Sequence, residues 1–255
     1  MLKDDHAAKV PAVTLAFWVV KIAATTLGET AGDTVSMTMN LGYLVSTIGF
    51  VAALVVLVLA QIRASRFSPF LYWATIIAST TAGTTMADFA DRSLGIGYAG
   101  GSLLLLACVG ASLGVWYASE RSISVVSVRT PKVEAFYWAT ITFSQTLGTA
   151  LGDWTADTND FGYTRAALVF AGLLAIVAAL WFWTKLSRAG LFWAAFILTR
   201  PLGATVGDFL DKPRDAGGLA VSRPIASLIL ATFIVVALIA VPQRAATDSA
   251  PRARP

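Results

Sequence analysis

Long apolar segments and segments with regularly spaced polar residues alternate along this chain. Three apolar runs, "STIGFVAALVVLVLA", "AALVFAGLLAIVAALWFW" and "IASLILATFIVVALIAV", are each long enough, with their flanks, to cross about 30 Å of hydrocarbon. Other segments carry threonine, glutamine and acidic residues at every fourth position, which places them on one face of a helix. The pattern predicts eight helices, at residues 11–37, 41–62, 69–92, 97–118, 132–157, 163–186, 189–211 and 220–241.

A unit of two helices is repeated four times. Each copy has a tryptophan, an aspartate fifteen positions later, and a glycine five positions before that aspartate. These residues are Trp18, Gly28 and Asp33; Trp73, Gly83 and Asp88; Trp138, Gly148 and Asp153; and Trp193, Gly203 and Asp208. A Gly-Tyr or Gly-Gly pair follows, beginning at Gly42, Gly97, Gly162 and Gly217, so each copy is predicted to turn there into a plain apolar helix.

The spacing of the copies divides the chain. They are 55, 65 and 55 residues apart, and the longer central step contains the polar segment 119–132. We therefore predict a first four-helix half at 1–124 and a second at 125–242. The remaining residues, 243–255, are polar and rich in proline and alanine, and are predicted to be a disordered tail.

The composition is that of a membrane protein. Of the 255 residues, 56% are hydrophobic and 13% are charged, whereas a soluble domain carries about 25% charged residues. We therefore expect an all-α integral membrane protein with eight transmembrane helices in a lipid bilayer. Its basic residues lie mainly in the predicted loops, where they report topology, so nucleic-acid binding is not expected. The sequence leaves a homo-oligomer open.

The distribution of lysine and arginine predicts the orientation. Twelve basic residues lie on the side that holds both termini and five on the opposite side, which places both termini in the cytoplasm and the chain in the bacterial inner membrane. Each unit has two spans, so all four copies point the same way. They are expected to be pseudo-symmetric about an axis along the membrane normal.

The fourfold pattern resembles a bacterial membrane-protein family built on a "repeat of unknown function", whose members are often labelled membrane-anchored proteins. The resemblance rests on the tryptophan, the central Thr-x-Gly and the aspartate of each copy, and covers roughly residues 15–240. The fourth copy departs most, because Arg200 and Pro201 replace a Thr-Thr pair and Gly218 replaces the tyrosine. The resemblance implies the architecture and no chemistry.

Two stripes on the first helix of each copy supply the candidate site. A charged side chain facing lipid at the centre of a membrane costs about 2.5–3.5 kcal/mol, so the acidic residues must face the protein interior. Predicted to bind a cation or proton are Asp33, Asp88, Asp153, Asp208 and Glu29. Predicted to line a polar cavity are Thr25, Thr80, Thr84, Gln145, Thr149, Arg200 and Lys21. Predicted to pack the helices closely are Gly28, Gly32, Gly83, Gly148, Gly152, Gly203 and Gly207.

Structural interpretations of the same residues remain open. The tryptophans are predicted to be anchors at the membrane interface. The aspartates could pair with Arg92, Arg200 or Lys212, and Glu29 could pair with Arg200 or Lys21, simply to hold the copies together. The loop that carries Asp157 and Asp160 lacks the spacing of a calcium-binding loop and is predicted to be solvated.

Catalytic patterns are missing from the sequence. His6 is the single histidine and Cys108 the single cysteine, so no histidine-based triad, thiolate metal site or disulfide framework can be assembled. We therefore expect no enzymatic activity and no cofactor. The function predicted is a secondary transporter or channel-like permease for a small cation, which could be a metal ion, or for a proton-coupled small solute. The rival is a membrane scaffold or sensor that transports nothing.

Overall fold

The structure is a computed structural model that describes residues 8–158 and 161–247. In those residues the chain forms eight α-helices, which confirms the predicted number, and their ends agree with the prediction to within a few residues. They are α1 (Leu15–Asp33), α2 (Tyr43–Arg63), α3 (Pro69–Asp88), α4 (Tyr98–Glu120), α5 (Pro131–Asp157), α6 (Tyr163–Trp183), α7 (Arg188–Asp211) and α8 (Arg223–Ala240). A π-helical turn extends α1 to Thr38, and another extends α3 to Ser93.

The odd- and even-numbered helices begin in different ways. A serine or threonine precedes each odd helix, and its side-chain oxygen accepts a hydrogen bond from a backbone N–H of the first turn; these residues are Thr14, Ser68, Thr130 and Ser187. A glycine with φ of 75° to 79° precedes α2, α4 and α6. Only glycine adopts such a φ without strain, which explains the repeated glycine at the turn. In the fourth copy Gly217 also has a positive φ, but α8 begins later, at Arg223.

The odd-numbered helices form a closed ring. In it α1 packs against α3, α3 against α5, α5 against α7, and α7 against α1. Each even helix packs outside the ring on the odd helix of the next copy: α2 on α3, α4 on α5, α6 on α7, and α8 back on α1. The four copies therefore interlock in one ring, which the two predicted halves share.

Polar and apolar residues are distributed in the reverse of the usual soluble pattern. The interior of the ring buries threonines, a glutamine and charged residues, while the even helices expose large aliphatic side chains such as Ile48, Leu103, Leu168 and Leu228. By length and composition alone, α2, α4, α6, α7 and α8 are apolar enough to cross a membrane. The ring helices α1, α3 and α5 are not among these five.

The end of the ring near both termini is covered by aromatic side chains and by the segments 8–14, 121–130 and 243–247, which hydrogen-bond to one another or to Trp193. Trp73, Trp138 and Trp193 are buried there, and the indole N–H of Trp193 donates to the carbonyl of Ile123 at 2.9 Å. Their prediction as interface anchors is therefore wrong, because they pack against protein.

The predicted disordered tail is ordered where it begins. The N–H of Ala12 donates to the carbonyl of Arg244, and the N–H of Ala246 donates to that of Val10, each at 2.8 Å. Residues 243–247 therefore pair with the N-terminal segment, in a short bridge between Pro11 and Ala245. Residues 248–255, His6 and Asp160 lie outside the described residues.

Candidate functional site

Equivalent residues of the four copies stack in layers inside the ring. All are buried, and together we call them the polar axis. At the closed end is an aromatic layer of Phe17, Tyr72, Tyr137 and Phe192, and the next layer consists of Lys21, Ile76, Ile141 and Phe196. The third layer consists of Thr25, Thr80, Gln145 and Arg200, and the fourth of Glu29, Thr84, Thr149 and Ala204. The fifth, which we call the acidic layer, consists of the four aspartates. The axis is therefore aromatic at one end, polar in the middle and acidic at the other end.

Glycines let the ring helices approach closely enough for these layers to meet. A Cβ atom at Gly28 would overlap Thr80, one at Gly83 would overlap Gln145, one at Gly148 would overlap Arg200, and one at Gly203 would overlap Thr25. The same relation therefore repeats at all four ring interfaces. One turn further on, Gly32 faces Thr84, Gly152 faces Ala204 and Gly207 faces Glu29.

Arg200 connects all four ring helices. Its Nη2 atom lies 2.9 Å from Oε2 of Glu29 and 2.6 Å from Oγ1 of Thr84, and it also donates to the hydroxyl of Thr149. The guanidinium of α7 therefore contacts α1, α3 and α5 at the centre of the ring. Of the two partners that the sequence left open for Glu29, the structure selects Arg200. Lys21 instead places its Nζ 4.1 Å from the ring centroid of Phe196.

Each aspartate of the acidic layer has a basic neighbour. Arg92 lies 2.9 Å from Asp88 and 3.7 Å from Asp153, so it joins two copies. Lys212 lies 3.1 Å from Asp208. Arg223 lies 3.5 Å from Asp33 and 3.0 Å from Asp211. The sequence did not predict this pairing, because Arg223 has no basic counterpart in the other copies.

The five predicted carboxylates meet in two groups. Glu29, Asp33 and Asp208 are buried and each offer an oxygen atom within 4.8 Å of the others, an arrangement that could hold a metal ion. Asp88 and Asp153 meet at Arg92 instead. Carboxylate oxygens are the ligands that hard cations such as Mg²⁺ and Mn²⁺ prefer, but a cation here would compete with Arg200, Arg223 and Lys212.

The middle of the axis contains polar atoms with no hydrogen-bond partner among the described residues. They are Nζ of Lys21, Oγ1 of Thr80, both amide atoms of Gln145, and Nε and Nη1 of Arg200. Leaving a buried polar group unpaired costs about 1–3 kcal/mol. By contrast, the hydroxyl of Thr25 donates to backbone carbonyls, including that of Thr199 at 3.1 Å. In the acidic layer, Oδ1 of Asp33 and Oδ2 of Asp88 also lack a hydrogen-bond partner among the described residues.

An open groove lies on the outer side of the ring. It has a volume of about 480 Å³ and runs between α1, α6 and α7, with Trp18, Ile22, Trp181 and Phe192 among its mostly apolar lining. Its lining includes Thr199 but none of the predicted cation-binding residues.

Comparison with known proteins identifies the repeat. The profile of a family described as Repeat of Unknown Function (DUF347) matches residues 16–67, 71–122, 136–187 and 191–242. The chain belongs to this family. Each matched DUF347 segment begins two residues before a repeated tryptophan, so the family and the Trp-Gly-Asp spacing define the same four copies. No curated protein and no solved structure matches the chain.

Proposed function

We propose that all eight helices cross the inner membrane of a bacterium, with both termini in the cytoplasm and the four repeats related by an axis along the membrane normal. The exposed aliphatic faces of the even helices support this, because they suit lipid and are costly in water. The excess of basic residues at the terminal end supports the orientation. Even helices packed outside the ring would shield the polar helices α1, α3 and α5 from lipid.

We further propose that the protein is a permease that moves a small ion or solute along the polar axis. The unpaired buried groups at the centre of the axis carry this proposal. A scaffold explains the ion pairs of Glu29 and the aspartates, since they tie the copies together. A scaffold gains nothing from Lys21 and Gln145, whose buried polar atoms have no partner among the described residues.

The acidic layer would supply the coupling step. Asp33, Asp88, Asp153, Asp208 and Glu29 can each exchange a basic partner for a proton or a cation. Arg92 is partly exposed and already contacts two of these carboxylates, so it can change partner with a small movement. The aromatic layer and the Arg200–Glu29 pair would then close the axis toward the cytoplasm in the described conformation.

Flux in proteoliposomes tests the permease. Purified protein is reconstituted in vesicles that contain a fluorescent indicator of the tested ion, and gradients of protons, Na⁺, K⁺, Mg²⁺ or Mn²⁺ are imposed in turn. We expect Asp88→Asn and Asp153→Asn to reduce flux at least tenfold while the protein stays folded. Asp157→Asn is the matched control, because Asp157 lies at the same end but is exposed and accepts hydrogen bonds only from Tyr98 and Tyr163 among described side chains.

The opposite result favours the scaffold. If wild-type protein moves none of these ions under any gradient, and the two aspartate variants only lose thermal stability, the buried charges serve to join the repeats. Equal flux in Asp88→Asn, Asp153→Asn and Asp157→Asn would likewise show that the acidic layer has no role in transport.

A further inference from the structure

In the middle of the axis, the unpaired atoms are mostly hydrogen-bond donors. We call Lys21, Thr80, Gln145 and Arg200 the donor site. All four side chains are fully buried, and Nζ of Lys21, Nε and Nη1 of Arg200, and Nε2 of Gln145 carry N–H groups without a partner in the described protein. Within the donor site, the unpaired acceptors are the amide oxygen of Gln145 and the hydroxyl of Thr80. The complementary ligand is therefore rich in acceptor oxygens.

The charges of the donor site favour an anion. Lys21 and Arg200 bring two basic side chains into the axis, and both are fully buried. The carboxylate of Glu29 already pairs with Nη2 of Arg200. Lys21 forms no ion pair with a described carboxylate, and a buried ammonium without a counter-ion is strongly disfavoured. A bound anion would supply that counter-ion, whereas a metal ion would be repelled.

Apolar side chains limit what the anion can be. At the level of Lys21 the other three ring helices contribute Ile76, Ile141 and Phe196, all fully buried. The aromatic layer closes the site beyond them, and Tyr72 and Tyr137 there direct their hydroxyl groups at each other at 2.6 Å. A multiply charged anion would find no further donors on that side. A single oxyanion head joined to a short apolar body suits both halves of the site.

We propose that the donor site binds a small monocarboxylate, with its carboxylate among Lys21, Gln145 and Arg200 and its apolar part toward Ile76, Ile141 and Phe196. The further statement that a monocarboxylate is the solute transported by the permease rests on the function proposed above. The binding site itself is independent of transport. Carboxylate entry would come from the acidic end, past the Arg200–Glu29 pair, because the aromatic layer closes the other end.

Binding to the full-length purified protein tests the proposal with four matched probes. Butyrate carries the proposed head and body, butyramide is its uncharged isostere, butylammonium reverses the charge, and inorganic phosphate is an oxyanion without an apolar body. Titration calorimetry and thermal unfolding are run in detergent at constant ionic strength. We expect butyrate to bind and to raise the melting temperature, and each of the other three to bind at least tenfold more weakly.

Substitutions locate the site. Lys21→Met keeps the length of the side chain and removes its charge, and should weaken butyrate binding at least tenfold. Gln145→Leu and Thr80→Val should also weaken butyrate binding. These two variants test the site if Lys21→Met does not fold. Lys132→Met is the matched control, because the Lys132 side chain is 65% exposed and pairs with Glu120 far from the donor site. Its affinity for butyrate should equal that of the wild type.

Several outcomes would overturn the proposal. Butyramide or butylammonium binding as tightly as butyrate would exclude an anion site, and phosphate binding more tightly than butyrate would exclude a monocarboxylate. Unchanged butyrate affinity in the folded donor-site variants would place binding elsewhere. Butyrate binding without any flux would support the binding site and contradict the permease proposal. Cation flux without butyrate binding would contradict the binding site and support the permease proposal.

Discussion

The Nη2 atom of Arg200 lies 2.9 Å from Oε2 of Glu29, and both side chains are buried at the centre of the ring. The pair joins the fourth repeat to the first. Thr84 and Thr149 bond the same nitrogen, so it contacts every ring helix. A buried ion pair adds little to the stability of a protein when compared with well-packed apolar residues of similar volume. Removing one partner is nevertheless costly, because it leaves a buried charge without compensation.

A double-mutant cycle measures this coupling. We expect Glu29→Gln or Arg200→Gln alone to lower the free energy of unfolding by about 3–5 kcal/mol, because each leaves one buried charge unpaired. The double variant should lose much less than the sum, since the third repeat already accommodates Gln145 at the position of Arg200. Unfolding in detergent by titration with dodecyl sulfate gives the values.

The exposed pair of Lys132 and Glu120 is the control for that cycle. Its atoms are also 2.9 Å apart, but both side chains contact solvent, so the two substitutions to glutamine should be additive. Additive losses at Glu29 and Arg200 as well would contradict a buried, coupled pair.

The ring interface predicts opposite effects for two Gly→Ala substitutions. Gly148 packs against the side chain of Arg200, so an added methyl group should destabilise the protein by about 1–3 kcal/mol through overpacking. Gly172 lies within α6 with nothing within 4 Å of an added Cβ. Gly172→Ala should be neutral or stabilise by up to about 1 kcal/mol, because alanine favours helix more than glycine does. Thermal unfolding of the two variants compares them, and equal effects would contradict the close helix contact.

Sequence spacing predicts the helices and the levels of the axis because the same residue types recur at fixed distances in every copy. It could not predict which ring helix each even helix packs on, since α2 adjoins both α1 and α3 in sequence. The structure places α2 on α3. That choice depends on the packing of many side chains, which no repeated motif encodes.

The same limit applies to contacts between loops and the axis. Arg92 belongs to the second repeat yet contacts Asp153 of the third, and Arg223 of the fourth repeat contacts Asp33 of the first. Trp193 is buried because segment 121–130 crosses the end of the ring and offers the carbonyl of Ile123. Its sequence pattern alone was equally typical of a lipid-interface anchor.

The hydroxyl groups of Tyr72 and Tyr137 are buried and 2.6 Å apart, so they depend on each other. Tyr72→Phe or Tyr137→Phe alone should cost about 1–3 kcal/mol, because the remaining hydroxyl loses its partner. The double variant should be close to the wild type, since Phe17 and Phe192 occupy the equivalent positions of the first and fourth copies. Melting temperatures of the three variants check this. A double variant less stable than either single one would show that the hydroxyls have other partners.

The central claim is that the polar axis, buried in the described conformation, opens to water at its acidic end during transport while the outer faces contact lipid. Cysteine accessibility tests it most directly. In a Cys108→Ala background, Thr84→Cys places a thiol on the axis and Leu168→Cys places one on the outward face of α6, where Leu168 is 67% exposed. Both are treated in intact vesicles with a membrane-impermeant methanethiosulfonate reagent. We predict that Thr84→Cys reacts from the acidic end and that Leu168→Cys does not react. Rapid reaction at Leu168→Cys, with Thr84→Cys unreactive from both sides, would contradict the account.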